Sequence, residues 1–304
     1  MVKLPVVTSP ALPKFGFVAL AGRTNVGKST LLNALLGEKV AIVSDRPQTT
    51  RARLLGMLNE ERGQVVFFDT PGLHKPQHLM NRQMMDISEA ALTEADLIFA
   101  IFEANEKLGP GDRYFLEMLT RTQTPAIAVV NKLDLCDKND LLPLLAALHD
   151  SGRFAETIPV SAKRGDNLDR LKTLLFSMLP EGEARYDKEL ITDLSERQSA
   201  SEVVREKLLN AMRDELPHAT HTVTEKWEEL PDGRLAIGVV IWVERDSQKA
   251  IVIGKGGLML KKIGSEARVE LNEILDRRVH LELFVKVRKG WRDQPSALKE
   301  LGLL

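Results

Sequence analysis

Gly22-Arg23-Thr24-Asn25-Val26-Gly27-Lys28-Ser29 fits G-x-x-x-x-G-K-[ST], a loop that cradles phosphates. Gly22 and Gly27 permit a tight turn and a close approach of backbone N–H groups to phosphate oxygens. Lys28 is placed to reach the outer phosphates, and Ser29 offers a hydroxyl to magnesium. The helix that follows points its positive end at the anion. Context agrees with the loop. Residues 15–21 (F-G-F-V-A-L-A) read as a buried strand, and residues 29–36 as a helix with apolar Leu31, Leu32, Leu35 and Leu36. Arg23, Thr24, Val26 and Thr30 enter the site with the loop.

Working outward, 304 residues suggest about two domains. Apolar content of 43% supplies two cores. A net charge of −1 gives no global field toward nucleic acid or membrane, so any such binding needs a local patch. The single Cys136 excludes internal disulfides and Cys-rich zinc sites and fits a reducing compartment. Residues 1–14 hold three prolines and no long apolar stretch, unlike a signal peptide. No apolar run nears the ~20 residues of a spanning helix. A cytoplasmic protein is expected, with peripheral membrane contact left open.

From residue 15 to about 180, apolar strand-like runs (15–21, 65–68, 96–102, 126–130, 158–160) alternate with helical patterns such as 83–95 and 112–121. Residues 53–59 suggest a further strand beside 65–68. The expected fold is α/β, a mostly parallel sheet covered by helices on both faces. Sites in such sheets lie beyond the carboxyl ends of the strands, and each strand end here carries a candidate. After the helix stops at Gly37, residues 44–51 (S-D-R-P-Q-T-T-R) read as a mobile loop whose Thr49 or Thr50 meets magnesium. Strand 65–68 runs into Asp69-Thr70-Pro71-Gly72, where Asp69 can hold magnesium through water and Gly72 can offer its N–H to a γ-phosphate. Leu73 and the following residues to 82, with His74, Pro76 and His78, suggest a second mobile loop. Pro76 argues against a helical His pair and so against a metal site there.

Asn131-Lys132-Leu133-Asp134 follows the strand at 126–130. The Asp134 carboxylate can accept from the N1–H and 2-amino group of guanine, and facing adenine it would stay unpaired. Asn131 can tie this loop to the phosphate loop, and the Lys132 stem can pack over the base. Ser161-Ala162-Lys163 ends the last strand and can present a backbone N–H to the guanine O6.

In this order the five motifs resemble those of the Ras-like translation-factor GTPases. The resemblance implies a P-loop GTPase using GTP/GDP and Mg2+, with Lys28, Gly72 and Thr50 in catalytic roles. Such enzymes often carry a Gln just after D-x-x-G to orient the attacking water. Leu73 stands there instead, so slow intrinsic turnover is expected. Similar GTPases with an apolar residue at this point include some in which a phosphate-loop Asn holds a potassium ion. Asn25 occupies that place, and a loop-stabilising amide is the rival role. Whether Arg23 or Arg51 reaches the γ-phosphate is open.

Residues 181–198 are charged and poorly periodic and read as a linker between a GTPase domain (15–180) and a second domain (199–304). There the order is helix 199–216, strands 221–227 and 235–243 around Pro231-Asp232-Gly233, a helix or turn at 246–253, Ile253-Gly254-Lys255-Gly256-Gly257, a helix at 258–275 and a strand at 279–287. This resembles an α+β type II KH domain, whose GxxG loop clamps an RNA backbone. Residues 245–292 carry twelve Lys/Arg against six Asp/Glu, a basic patch in a neutral chain. Lys255, Lys261, Lys262, Arg288, Lys289 and Arg292 are the expected phosphate contacts, although a solvated helix face would equally explain Lys261 and Lys262. Trp291 is expected to anchor the tail rather than to stack on a base.

A GTPase followed by a type II KH domain resembles the Era family, and the resemblance covers nearly the whole chain. It implies a monomer that binds small-subunit (16S) ribosomal RNA near its 3′ end on the 30S precursor and leaves on hydrolysis. Two departures stand out. Thr24 replaces the usual proline, so the loop is expected to be less rigid without GTP. The extra Gly256 is expected to loosen RNA specificity. The rival readings are a P-loop GTPase serving tRNA modification, protein or membrane, and an RNA-binding protein with a vestigial nucleotide pocket. The intact Lys28, Ser29, Asp69 and Asp134 oppose the last.

Overall fold

The computed structural model describes residues 12–46, 48–73, 78–212 and 216–303. The first half runs β1 (Lys14–Ala21), α1 (Lys28–Leu36), β2 (Leu54–Glu60), β3 (Gly63–Asp69), α2 (Leu79–Glu94), β4 (Leu97–Glu103), α3 (Pro110–Leu119), β5 (Ala126–Asn131), α4 (Lys138–Asp150), β6 (Glu156–Pro159) and α5 (Leu168–Met178). The strands form one sheet of order β2-β3-β1-β4-β5-β6. All neighbours are parallel except the β2–β3 hairpin. Its turn ends at Gly63, where φ is 144° and a Cβ would land 1.9 Å from the Lys14 carbonyl oxygen.

Strands buried on both faces should read as continuous apolar runs, and they do. In β1, β3, β4 and β5 alternate residues serve two cores. Val18, Leu20, Phe67, Phe99 and Val129 pack with Leu31, Leu32 and Leu35 of α1 and Leu171 and Leu175 of α5. Ala19, Phe68, Ile98, Phe102 and Val130 pack with Met85 of α2, Phe115 of α3 and Leu148 of α4. This sandwich fixes every strand end carrying a motif on one rim.

The connection after α5 is pinned by a buried amide. Gln64 of β3 accepts from the Arg185 and Tyr186 N–H groups at 2.9 and 3.0 Å and donates to the Tyr186 carbonyl at 3.0 Å. Farther on, the Met57 N–H donates to the Ile191 carbonyl at 2.9 Å.

The second half runs α6 (Glu196–Ala211), β7 (His221–Glu229), β8 (Leu235–Val243), α7 (Asp246–Ile253), α8 (Leu258–Ile274), β9 (Val279–Val287) and α9 (Pro295–Glu300). In the sheet β7-β8-β9, β8 pairs antiparallel with β7 and parallel with β9. Helix α6 starts earlier than the apolar periodicity suggests. Ser195 caps it, and Gln198 closes a capping box, with Ser195 N donating to Gln198 Oε1 at 3.0 Å. The helix ends at Ala211 rather than at 216, because Met212 is extended (ψ 160°). Helix α9 had no sequence expectation.

All nine residues of β8 are buried. One face joins α6 and α8 around Val204, Leu208, Ile263 and Leu271. On the other, Val240 and Trp242 meet Trp291, Leu298 and, from α2 of the first unit, Met80 and Met84. Trp291 is fully buried and donates to the Ala219 carbonyl at 3.2 Å, so it is an anchor, as expected.

Candidate nucleotide site and nucleic-acid interface

The phosphate loop leaves β1 at Ala21 and enters α1 through Gly27 (φ 93°), where a Cβ would fall 2.4 Å from the Asn131 amide nitrogen. That crowding is functional in form. Asn131 donates from Nδ2 to the Val26 carbonyl at 2.9 Å, and its Oδ1 accepts from the Ala162 N–H at 3.0 Å. One side chain therefore joins three motif loops. Lys28 is 6% exposed and donates to the Gly22 and Arg23 carbonyls at 3.2 and 2.8 Å. Burial pushes its ammonium down to about 8, against the pull of Asp69.

Asp69 ends β3 fully buried. Its Oδ2 accepts from Ser29 at 2.7 Å and Thr50 at 3.0 Å, and the two hydroxyls lie 3.0 Å apart. Burial raises its pKa, more than the hydrogen bonds from Ser29 and Thr50 lower it. Its Oδ1 is buried with no hydrogen-bond partner. Two hydroxyls and a carboxylate with an orphaned oxygen suit a hard cation that keeps several waters and phosphate ligands, as Mg2+ does. Of the two threonines left open by sequence, Thr50 stands in this cluster. Thr49 turns away, donating to the Arg46 carbonyl at 2.8 Å. No cluster of three or more His, Cys, Asp or Glu among the described residues suits a metal.

The remaining motif residues surround this cluster. Thr70 is tied to the Leu20 carbonyl at 2.8 Å, and the Pro71 carbonyl accepts from Ser88 at 3.0 Å. Gly72 packs so closely on Thr24 that a Cβ would sit 2.7 Å from the Thr24 Cα. Leu73 is 7% exposed, packs in the core and donates from its N–H to the Gly22 carbonyl at 3.2 Å. Asn25 (φ 66°) donates to the Asp45 carbonyl at 2.7 Å. A cavity of about 390 Å3 runs past Thr24, Lys28, Ser29, Thr30 and Thr50 to Lys132. Lys132 pairs with Glu103 at 2.9 Å. Beyond it, Asp134 accepts from Ser161 at 2.6 Å, and that bond is the main cause of its lowered pKa. In the Ser161-Ala162-Lys163 turn, Ser161 N–H goes to Asp166 and Ala162 N–H to Asn131.

Arg23 and Arg51 both point elsewhere. Arg23 pairs with Glu106 and with Asp112, the latter at 2.8 Å. Arg51 donates to the Thr220 and Pro217 carbonyls at 2.7 and 3.0 Å. Burial, then the nearby Arg205, pulls its guanidinium down to about 9. Arg46 reaches the Met212 carbonyl at 3.1 Å. The loop around Thr50 is thus gripped by the second unit. His74, Lys75 and Pro76 of the second expected loop lie outside the described residues. His78 pairs with Asp293 at 2.9 Å, and Asp293 also accepts from the Leu79 N–H at 2.8 Å, capping α2.

In the G-x-x-G turn, Gly254, Gly256 and Gly257 all have positive φ (74°, 59° and 78°). At Gly254 a Cβ would meet the Met259 Cβ at 2.6 Å. Ile253 closes α7, and exposed Lys255 stands at the tip. A groove of about 480 Å3 continues along Gly257, Lys261, Gly264, Arg268, Leu281 and Leu283. Gly264, Arg268 and the two leucines were missed by sequence reasoning. The available signal was a glycine inside a helix, which costs about 1 kcal/mol against alanine unless something needs the space. Here that neighbour is Leu283, 3.3 Å from a hypothetical Cβ. Lys262 leans toward Glu266 at 3.9 Å. Of the expected contacts Arg288, Lys289 and Arg292, two are engaged within the fold. They follow β9, and Arg288 lies five residues beyond Leu283, roughly 16 Å at ~3.3 Å per residue. Arg288 stacks on Trp242 at 4.1 Å and pairs with Glu300 at 2.7 Å. Arg292 pairs with Glu244 at 2.6 Å. Charge counting located a basic stretch but not the direction of its side chains.

A family model described as 50S ribosome-binding GTPase matches residues 17–132, and a KH domain model matches residues 215–292. The chain is 46% identical to the GTPase Era of Heliobacterium modesticaldum, over 94% of this chain and 96% of that one. The chain belongs to the Era family of GTPases. Similarity to the GTPase Era of Geobacter metallireducens is 46% identity over 94% of this chain and 97% of the relative. Among solved structures, Era in complex with MgGDPNP and nucleotides 1506–1542 of 16S ribosomal RNA matches with a TM-score of 0.93 and 39% identity. That match covers 96% of this chain and 99% of the Era chain. An Aquifex aeolicus Era variant bound to GDP·AlF4− matches with a TM-score of 0.92 and 39% identity, covering 95% and 99%. The α/β fold with a mostly parallel GTPase sheet and a KH unit is therefore that of Era. Among the described residues no helix is long and apolar enough to cross a membrane.

Proposed function

We propose that this chain is a GTP-hydrolysing switch that binds the 3′ part of 16S ribosomal RNA on the small-subunit precursor and acts in its assembly. The observation that carries this is the match, over 96% of the chain, to an Era structure whose ligands are MgGDPNP and 16S RNA. Residues 15–180 are the GTPase unit, 181–198 the connection and 199–304 the RNA-binding unit. We assign the cytoplasm as its place of work.

In this reading the phosphate loop wraps the phosphates with its N–H groups and Lys28 neutralises the outer ones. Ser29, Thr50 and, through water, Asp69 would hold Mg2+, which supplies charge neutralisation during phosphoryl transfer. Asp134 selects guanine, and Gly72 offers its N–H to the γ-phosphate. Leu73, locked into the core, has no group to orient water, so turnover without a partner is slow. Thr50 lies between Thr49 and Arg51, both held by the second unit, so the nucleotide state has a direct mechanical route to the RNA groove. There Gly254 to Gly257 admit the RNA backbone, and Lys255, Lys261 and Arg268 meet its phosphates.

The words "50S ribosome-binding" in one family description point to the other subunit. That model matches part of the GTPase unit alone, whereas the relatives that span both units are Era, so we assign the small subunit. Crosslinking the protein to RNA in cells, with and without Gly254→Asp, tests the proposal. Crosslinks in the 3′ part of 16S RNA that vanish in the variant are expected. Crosslinks scattered away from ribosomal RNA would overturn it.

A further inference from the structure

Between the segment after Thr50, helix α6, strand β7 and the C-terminal turn lies a second cavity, of about 400 Å3. That is the size of a small-molecule site. Arg51, Arg197, Arg205 and Lys299 are in its lining. Arg51 and Arg205 are only 4% and 2% exposed. Arg205 is neutralised by Glu202, its Nε lying 2.9 Å from Oε1. Arg51 has no such partner. Its acceptors are the Thr220 and Pro217 carbonyls and, at 3.3 Å, the His221 Nδ1.

Glu202 also faces Arg51, Asp69 lies in the wall and Arg53 is paired with Glu94, yet the lining still holds five cations (Arg51, Arg53, Arg197, Arg205, Lys299) against three carboxylates (Asp69, Glu202, Glu300). His221 carries no charge at neutral pH, since burial and then Arg51 and Arg205 push its pKa well down. Glu300, also in the lining, is paired with Arg288. Among the described residues neither Arg197 nor Lys299 has a carboxylate within ion-pair distance. Two guanidinium nitrogens, Arg51 Nε and Arg205 Nη1, are buried with no acceptor. A buried cation without a counter-charge is destabilising, and carbonyl dipoles offset part of that.

We infer that this cavity is a second anion site, distinct from the phosphate loop, and that it takes the phosphate group of a small ligand. Arg51 and Arg205 supply positive charge buried in the wall, and exposed Arg197 and Lys299 supply the donors that reach a ligand from the surface. These two offer more donors than a chloride ion can use, and a guanidinium fork matches phosphate oxygens. Thr50 and Asp69 form the wall toward the nucleotide loop. An anion in this cavity therefore sits beside that wall and braces the join between the two units.

The test titrates inorganic phosphate into the full chain loaded with GDP and Mg2+, at constant ionic strength in chloride. GDP occupancy is measured first, so a failure of nucleotide binding shows separately. Phosphate binding is read by calorimetry and by the shift in Tm. Saturable binding is expected. The double variant Arg197→Gln/Lys299→Gln, which changes exposed groups only, should weaken it about tenfold or more, as loss of charge-assisted hydrogen bonds does. Arg51→Gln should abolish it, but that side chain also holds the interface, so the surface variant is decisive. Phosphate acting no differently from chloride, or equal binding by the double variant, would overturn the inference.

Discussion

The Arg205 guanidinium donates to the main-chain carbonyl of Thr49 at 2.5 Å. Arg205 belongs to the first helix of the KH unit, and Thr49 precedes Thr50, which hydrogen-bonds with Ser29 and Asp69. Any movement of Thr50 toward or away from a nucleotide must therefore stretch or spare this bond. We predict that Arg205→Met uncouples the units. The ratio of RNA affinities in the GTPγS and GDP forms, measured by anisotropy of a labelled 16S 3′ fragment, should fall at least fivefold, the low end of usual coupling energies. GTP affinity should change little. An unchanged ratio would mean that coupling runs elsewhere, for example through Met80 and Met84.

The proposed base contact is Asp134, whose carboxylate is oriented by Ser161. Asp134→Asn replaces one acceptor with a donor. Against guanine the new NH2 faces an N–H, while against xanthine it faces a carbonyl. GTP affinity should drop about a hundredfold or more, the scale on which mismatched buried hydrogen bonds discriminate, and XTP should become the better ligand. Competition of labelled GDP by GTP and XTP reads this directly. Retained GTP preference would remove Asp134 from the base contact.

The strand-end motifs were legible because chemistry fixes their residue types and the sheet fixes their place. β8 and β9 matched expectation residue for residue, since Val/Ile-rich runs are bounded there by Asp-Gly or charged residues. The interface was not legible. Arg51–Thr220 and Lys39–Glu270 join positions 169 and 231 residues apart, and no local pattern announces such pairs. The partners of Arg288 were hidden for a related reason. A charge count gives sign and number, but Trp242 and Glu300 decide where that guanidinium points.

Lys39, just after α1, bridges to Glu206 and Glu270 of the KH unit at 2.7 and 2.6 Å. Burial alone would raise the Glu270 pKa, but hydrogen bonds from Lys207 and Lys39 carry it below its ordinary value. A depressed acid stabilises the fold above its unfolded pKa and loses that contribution as pH falls through the folded one. Glu270→Gln should therefore lower Tm at neutral pH and cease to matter in acid. The group is partly solvated, so the effect is about 0.5–1 kcal/mol. Thermal melts of both proteins across pH 3–8 check this, and a Tm gap that persists in acid would refute the ion-pair account.

Leu73 is buried beside the phosphate loop and has no side-chain group to orient an attacking water, so hydrolysis must be helped in another way. Asn25, in the phosphate loop, is the candidate that the sequence offers. Its Nδ2 is committed to the Asp45 carbonyl, which orders the amide at the mouth of the cavity, and its carbonyl oxygen is a suitable ligand for a large monovalent cation. If it holds potassium, turnover should be about tenfold faster in potassium than in sodium, equivalent to ~1.4 kcal/mol of barrier. Asn25→Ala should abolish the difference while keeping GDP affinity within a few-fold. If Asn25 only stabilises the loop, both salts support equal rates in the wild type, and Asn25→Ala lowers affinity and rate alike. Turnover of the two proteins in matched chloride salts separates these outcomes. A wild-type rate that ignores the cation would return the question to whatever partner approaches the loop from outside.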